Sequence, residues 1–436
     1  MKRQIQDWDL RIDLSDLELM LDYMRKLGGY GLGLFDVMDL GLPRDLYETH
    51  LNEAIDNLRS MAGGESPAIV LRPKGASDQA LVEAPSNLWN FAQTLRFAAA
   101  TTFLTQYYKH WMYPGVIHRA VTAKVLYRCQ TGILDDVVDK GSYSYLEAKQ
   151  LYDMVFSSMI DTDFDEKRLV QKLVPNLNQD QVDIVELIIK ITSWFNTLFL
   201  AAPRGTDYVY HIDLFNARHG LSQALSMYTK EEHYDLEKAK RIAKDFPAPA
   251  SDIQWHDRLA NGLAAGTQHN LIDMSFCQRR FKLNKLKDLF KAWWYLDAVA
   301  VYLNTSITIY DDLRDGIVNV ALIASRENEL RSLESIRGYD PALTEEDYDK
   351  TFRWIAEMAG RGLKILSRSM PDPGRYFPFM VVMMPFMLMA ETIGKGDRAI
   401  RNYLEYLRPP VRAIVDEYES RAKQRVRFPM RGRIST

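Results

Sequence analysis

Apolar residues recur at three- and four-residue intervals along almost all of the 436-residue chain, and no run shows the strict alternation of a half-buried strand. That period commits the chain to helices. LSDLELMLDYMRKLGG (14–29) reads as a helix stopped by glycines, with Ser15 as cap, and DLYETHLNEAIDNLRSMA (45–62) reads as a second. Residues 63–85 hold the turn-rich GGESPAIVLRPKGASD, and a long helical field starts near Ser86. SYSYLEAKQLYDMVFSSMI and QDQVDIVELIIKITSWFNTLFLAA continue as helices, while the polar DTDFDEKRLVQKLVPNLN between them reads as a loop. The proline-rich DFPAPASD (245–252) is a domain boundary or, because both flanks look alike, a helix-to-helix loop. Helical pattern then runs unbroken over 282–333. The reading is all-α: one helical domain over 86–415, a helical extension over 1–85 packed on it, and a basic tail over 416–436.

Composition narrows the function classes. A net charge of -3 gives no electrostatic footprint for nucleic acid. Cys129 and Cys277 form no CxxC pair, and with no apolar leader in MKRQIQDWDLRIDLSDLELM they suggest reduced thiols in a cytoplasmic protein. FPFMVVMMPFMLMA (377–390) is too short for a membrane span, and two prolines interrupt it. No HExxH, dinucleotide fingerprint or DxDD pattern is present.

Two motifs break the apolar pattern. TGILDDVVDKG carries Asp135, Asp136 and Asp139, and SITIYDDLRDGIVN carries Asp311, Asp312 and Asp315, followed by Asn319. On a helix, Asp135 shares a face with Asp139, and Asp311 with Asp315 and Asn319. One such motif could be a solvated helix end; two in apolar surroundings point to a site. Crowded carboxylates away from water need a cation, because repulsion and desolvation otherwise raise their pKa values. The donors are all hard oxygens, which favours Mg²⁺ over Zn²⁺ and leaves positions for water and substrate phosphates.

The paired motifs resemble those of class I isoprenoid synthases, the terpene cyclases and trans-prenyltransferases, over roughly residues 90 to 415. The resemblance implies an all-α helical barrel with a central active-site cavity, and three Mg²⁺ ions gripping a prenyl diphosphate. The metal ligands it implies are Asp135, Asp136, Asp139, Asp311, Asp315 and Asn319, with Asp135, Asp139, Asp311 and Asp315 catalytic. The second motif departs from the cyclase pattern: Asp315 replaces a Ser/Thr, and Asn319 a glutamate. An insertion near residues 160 to 180 accounts for the wide separation of the motifs.

Diphosphate also needs fixed cations. Arg258, Lys285 and the pair Arg401 and Tyr403 are the candidates, each with the alternative of a solvated helix charge. LANGLAAGTQ is a kinked helix lining the cavity or a close-packed contact. Aromatic faces stabilise carbocations, and Phe103, Tyr107, Trp194, Phe195, Trp294, Tyr302 and Phe379 are candidate wall residues. KGSYSY follows the first motif where chain-elongating enzymes carry a basic RRG-like element, which favours a cyclase. The alternatives are a prenyltransferase using isopentenyl diphosphate and a catalytically silent helical binding protein. The whole sequence is also similar to divergent fungal cyclases that make humulene for tropolone meroterpenoids, which implies farnesyl diphosphate as substrate. Self-association as a homodimer is left open.

Overall fold

The computed structural model describes residues 8–9, 17–26, 44–63, 72–73, 98–177, 181, 184–226, 236–315, 317–326, 344–369, 405–409, 412–413 and 416. The architecture of these residues is helical, with one exception. Strand β1 (Trp8–Asp9) pairs antiparallel with β2 (Arg72–Pro73), each two residues long, Trp8 opposite Pro73 and Asp9 opposite Arg72. Among the described residues no helix is long and apolar enough to cross a membrane.

Helices α1 (residues 17–26) and α2 (Arg44–Gly63) precede short turns α3 (98–101) and α4 (Thr105–Tyr108). The long α5 (Ile117–Lys140) is followed by α6 (Tyr145–Met159). A capping box starts α6: Ser144 accepts from the Glu147 N–H, and the Glu147 carboxylate accepts from the Ser144 N–H.

The stretch expected as a loop after α6 contains helix α7 (Glu166–Leu173). Asp165 caps it through the N–H groups of Lys167 and Arg168, and Leu169 and Leu173 bury one side. Two apolar residues four apart suffice when a cap fixes the start.

Helices α8 (Val185–Leu200), α9 (Gly205–Ser226) and α10 (Leu236–Lys244) follow. DFPAPASD is the connection from α10 to α11 (Trp255–Leu263), the helix-to-helix loop preferred above. Then come α12 (Gly266–Ser275) and α13 (Leu283–Ile307). The helix expected to run unbroken to residue 333 instead kinks at Thr308. It continues as α14 (Ile309–Asp315), then turns into α15 (Val320–Arg326). The last long helix is α16 (Glu345–Ser369).

Helix α12 is buried over its whole length from Thr267 to Ser275 and packs against α5, α9 and α13. Around it, α5 lies on α8, α6 on α9, α9 on α11, α11 on α13 and α13 on α16. Helix α2 packs on α5. Both cysteines are free and buried, and Cys277 Sγ bonds the Asp273 carbonyl.

Candidate functional site

Helix α5 carries an interior stripe that is polar. Lys124, Tyr127, Arg128, Thr131, Asp135 and Asp139 recur at three- and four-residue spacing, so they share a face. Lys124 and Tyr127 are fully buried, Thr131 nearly so, and Arg128, Asp135 and Asp139 are partly buried. Buried polar groups persist only when partnered. Lys124 pairs with Asp273 of α12 at 2.7 Å and donates to Thr105 at 3.2 Å. Tyr127 donates to Asn216 of α9 at 2.7 Å, and Arg128 donates to Thr131 at 3.1 Å.

The stripe ends in the first aspartate motif, which lies within α5 as its spacing predicts. Burial pushes the Asp135 carboxyl up to about 6, opposed by Arg128, while neighbouring Asp136 adds to the rise. Tyr152 of α6 donates its hydroxyl to Asp135 at 3.3 Å. Burial raises the Tyr152 phenol well above its ordinary range, and the charges of Asp135, Asp139 and Asp136 raise it further. All three carboxylates therefore act on one phenol. Lys140 approaches Asp136 at 3.4 Å.

The second motif is less regular. Asp311 is exposed and pairs with Arg314 at 2.9 Å. Asp312 accepts from Thr308 Oγ1 at 2.9 Å and from Asn319 Nδ2 at 2.7 Å. The Asp315 side chain lies outside the described residues. Asn319 does not stack on the face of Asp311, because α14 ends before it and the Ile317 N–H reaches back to the Asp312 carbonyl at 2.8 Å. It is buried and caps α15: its Oδ1 accepts from the Leu322 N–H at 2.9 Å, and its Nδ2 also donates to the Thr305 carbonyl at 2.7 Å. Its amide is thus engaged within the chain, and it does not form the third stacked oxygen expected from sequence.

Helix α9 links the two motifs. Tyr152 packs so closely on Gly220 that a Cβ there would lie 2.7 Å from the Tyr152 Cβ. Six residues on, about 9 Å along the helix, the Ser226 carbonyl accepts from the Val318 N–H at 2.9 Å, immediately before Asn319. Tyr152, which bonds Asp135, and Val318, which precedes Asn319, thus both contact the C-terminal part of α9. Among the described residues, no group of three or more His, Cys, Asp or Glu side chains is arranged to hold a metal ion.

Between the motifs, α11 and α12 are two halves of an interrupted helix. Ala264 is extended, which severs the ladder. Side chains take over the freed backbone groups. His219 of α9 donates to the Gly262 carbonyl at 2.9 Å, and Gln223 donates to the Leu263 carbonyl at 3.5 Å. Asp297 of α13 accepts from the Thr267 N–H at 3.1 Å and from its hydroxyl at 2.7 Å. Of the two readings of LANGLAAGTQ, the chain takes an interrupted form that is also closely packed: a Cβ on Gly262 would lie 1.8 Å from Ser222 Oγ.

The remaining sequence candidates divide. Phe195 is buried against Tyr127, with ring centroids 5.7 Å apart, and Trp194 is half-buried beside it on α8. Arg258 donates to the carbonyls of Lys244 and Phe246, holding the end of α10. Lys285 donates to the Ser369 carbonyl at 2.8 Å, at the end of α16. Trp294 donates to the Pro247 carbonyl at 3.0 Å. Tyr302 donates to Asp257 at 2.8 Å, beside Trp354 Nε1 on the same carboxylate at 2.9 Å. These contacts join helices, and none touches an aspartate of either motif. Phe379, Arg401 and Tyr403 lie outside the described residues, as do the side chains of Phe103 and Tyr107.

Sequence reasoning missed Arg128, Tyr152, Asn216, His219 and His269. Arg128 was legible in principle, seven residues before Asp135 on the same face. The others come from different helices, and only tertiary packing brings them to the stripe. Comparison with known protein families and with curated proteins gives no match.

Proposed function

We propose that the protein is a class I terpene cyclase that ionises a prenyl diphosphate, farnesyl diphosphate in the first instance, and closes the resulting cation into a cyclic hydrocarbon. The observation that carries this reading is the buried polar stripe of α5, which ends in carboxylates crowded around Tyr152. The first part of that face is satisfied within the chain, by Asp273 on Lys124 and Asn216 on Tyr127; its carboxylate end is the part a bound cation would stabilise. Burial is the main cause of the raised Asp135 carboxyl, with Asp136 adding to the rise against Arg128, so a bound cation would favour its charged form.

The donor chemistry fits Mg²⁺. That ion is held by one or two carboxylates and completes its shell with water and substrate phosphates, so it needs no preformed cluster of three protein ligands. Asp135 and Asp139 would hold it at one motif, and Asp311 and Asp315 at the other. When bound it supplies charge that makes diphosphate a better leaving group. Asp136 lies near Lys140, Asp311 pairs with Arg314, and Asp312 bonds Thr308 and Asn319, so an ion bound at these motifs would compete with those partners.

The chain's own residues do the rest. Arg128, on the stripe, supplies a fixed positive charge near Asp135, which suits a leaving anion. Tyr127, Phe156 and Phe195 cluster with centroids 5.7 to 6.2 Å apart, giving aromatic faces that stabilise a cation without capturing it. Incubation with farnesyl diphosphate and Mg²⁺ tests the reading. A cyclic hydrocarbon and free diphosphate should form, EDTA should stop the reaction, and added isopentenyl diphosphate should remain unconsumed. Longer prenyl diphosphates, formed only with isopentenyl diphosphate, would make the protein an elongating enzyme instead.

A further inference from the structure

A cyclisation that ends in a hydrocarbon must lose a proton from carbon, so some atom must accept it. The interior beside Tyr127 holds two buried histidines, and they differ in one respect. His219 Nδ1 is bonded to the Gly262 carbonyl. His269 Nδ1 has no hydrogen-bond partner among the described residues, although His269 is only 3% exposed. The His269 ring meets Tyr127 edge-on, with centroids 5.4 Å apart and planes at 83°. Tyr127 in turn packs on Phe156 and Phe195.

Other unpartnered atoms lie on the elements around it. Among the described residues Asn216 Nδ2, whose amide oxygen accepts from Tyr127, has no partner, and neither amide atom of Gln130 has one. A buried polar atom without a partner costs about 1–3 kcal/mol. Asn216 and His269 both contact Tyr127, so two such atoms lie around one phenol ring.

We propose that His269 is the base that ends the reaction, its unpartnered Nδ1 taking the proton from the carbon next to the final carbocation. The electrons of that C–H bond become the second bond of the new C=C. The nitrogen lone pair forms the N–H bond, and the imidazolium returns its proton to water as product leaves. This rests on the cyclase reading above. His269 suits the role electrostatically. Burial, then the charges of Lys124 and Arg128, hold its imidazole neutral well below the ordinary histidine range. A neutral imidazole with an unpartnered Nδ1 therefore stands beside aromatic faces, and in the tautomer protonated on Nε2 that atom can accept a proton.

The test measures two quantities in wild type, His269→Gln and His269→Ala: diphosphate released, and the fraction of that turnover ending in the wild-type hydrocarbon. The proposal predicts that this fraction falls at least tenfold in both variants, with water-quenched alcohols or isomeric alkenes in its place. Added imidazole should restore it in His269→Ala. An unchanged product profile in either variant overturns the proposal. So does a loss of diphosphate release with no change in product ratio, which would mark a structural role. If wild type releases no diphosphate from farnesyl diphosphate, the cyclase reading itself has failed, and this inference fails with it.

Discussion

Asp135→Asn should stabilise the fold while abolishing its chemistry. The Asp135 carboxyl stands at about 6 against an ordinary 3.8. A carboxyl whose folded pKa is raised binds its proton more tightly in the folded state, so stability falls as pH climbs through that window. The difference of about 2 pH units, at about 1.4 kcal/mol per unit, sets an upper limit near 3 kcal/mol above pH 6. Partial solvent exposure of Asp135 screens the effect, so a gain of about 1–2 kcal/mol is expected at pH 7.5. At pH 4 most of the gain should vanish, because the folded carboxyl is then already neutral. Urea denaturation of wild type and variant at both values measures this. An Asp135→Asn protein no more stable at pH 7.5, or equally stabilised at pH 4, would refute the claim that the charge is held against an electrostatic cost.

Three other outcomes follow from the contacts described. Asn319→Ala should cost roughly 2–4 kcal/mol in urea denaturation, since it removes a helix cap and leaves the Thr305 carbonyl and Asp312 short of a donor; a variant as stable as wild type with a higher Mg²⁺ requirement would restore it as a metal ligand. Lys124→Met should cost about 3–5 kcal/mol by leaving the Asp273 carboxylate buried and unpaired. Adding Asp273→Leu should recover most of that loss, and failure to recover it would show that the pair is not what the substitution breaks. Arg258→Ala should lower stability by about 1–3 kcal/mol, because two carbonyls at the end of α10 lose their donor, and should leave diphosphate affinity within twofold; a large loss of affinity would return Arg258 to the site.

Local periodicity carried the helices, and where it was legible the structure follows it. Helix α5 and its aspartates are spaced as the sequence reads, because i and i+4 contacts depend only on the helix itself. Helix α7 was read as loop, since its composition is polar and only a cap and two leucines distinguish it. The interruption at Ala264 was one of two readings of LANGLAAGTQ, and its small residues alone did not decide between a kink and a close-packed contact. Its free backbone groups are held by His219, Gln223 and Asp297, which lie at least thirty positions away along the chain. The turn before α15 is hidden for a similar reason: Asn319 continues an acidic pattern in sequence, yet in space it answers Thr305 and Leu322. Long-range partners likewise explain the roles of Arg258, Lys285, Trp294 and Tyr302. Each has the residue type a diphosphate or cation site would want, and each also makes a hydrogen bond that ties separate segments together.

We propose that both aspartate motifs serve one metal–diphosphate site, and calorimetric titration of inorganic diphosphate, with and without Mg²⁺, into wild type, Asp135→Asn and Asp311→Asn tests this. Binding should require Mg²⁺ and weaken at least tenfold in each variant, since each removes one charged donor from the same ligand. Binding that ignores Mg²⁺, or that survives unchanged when either motif is altered, would contradict it.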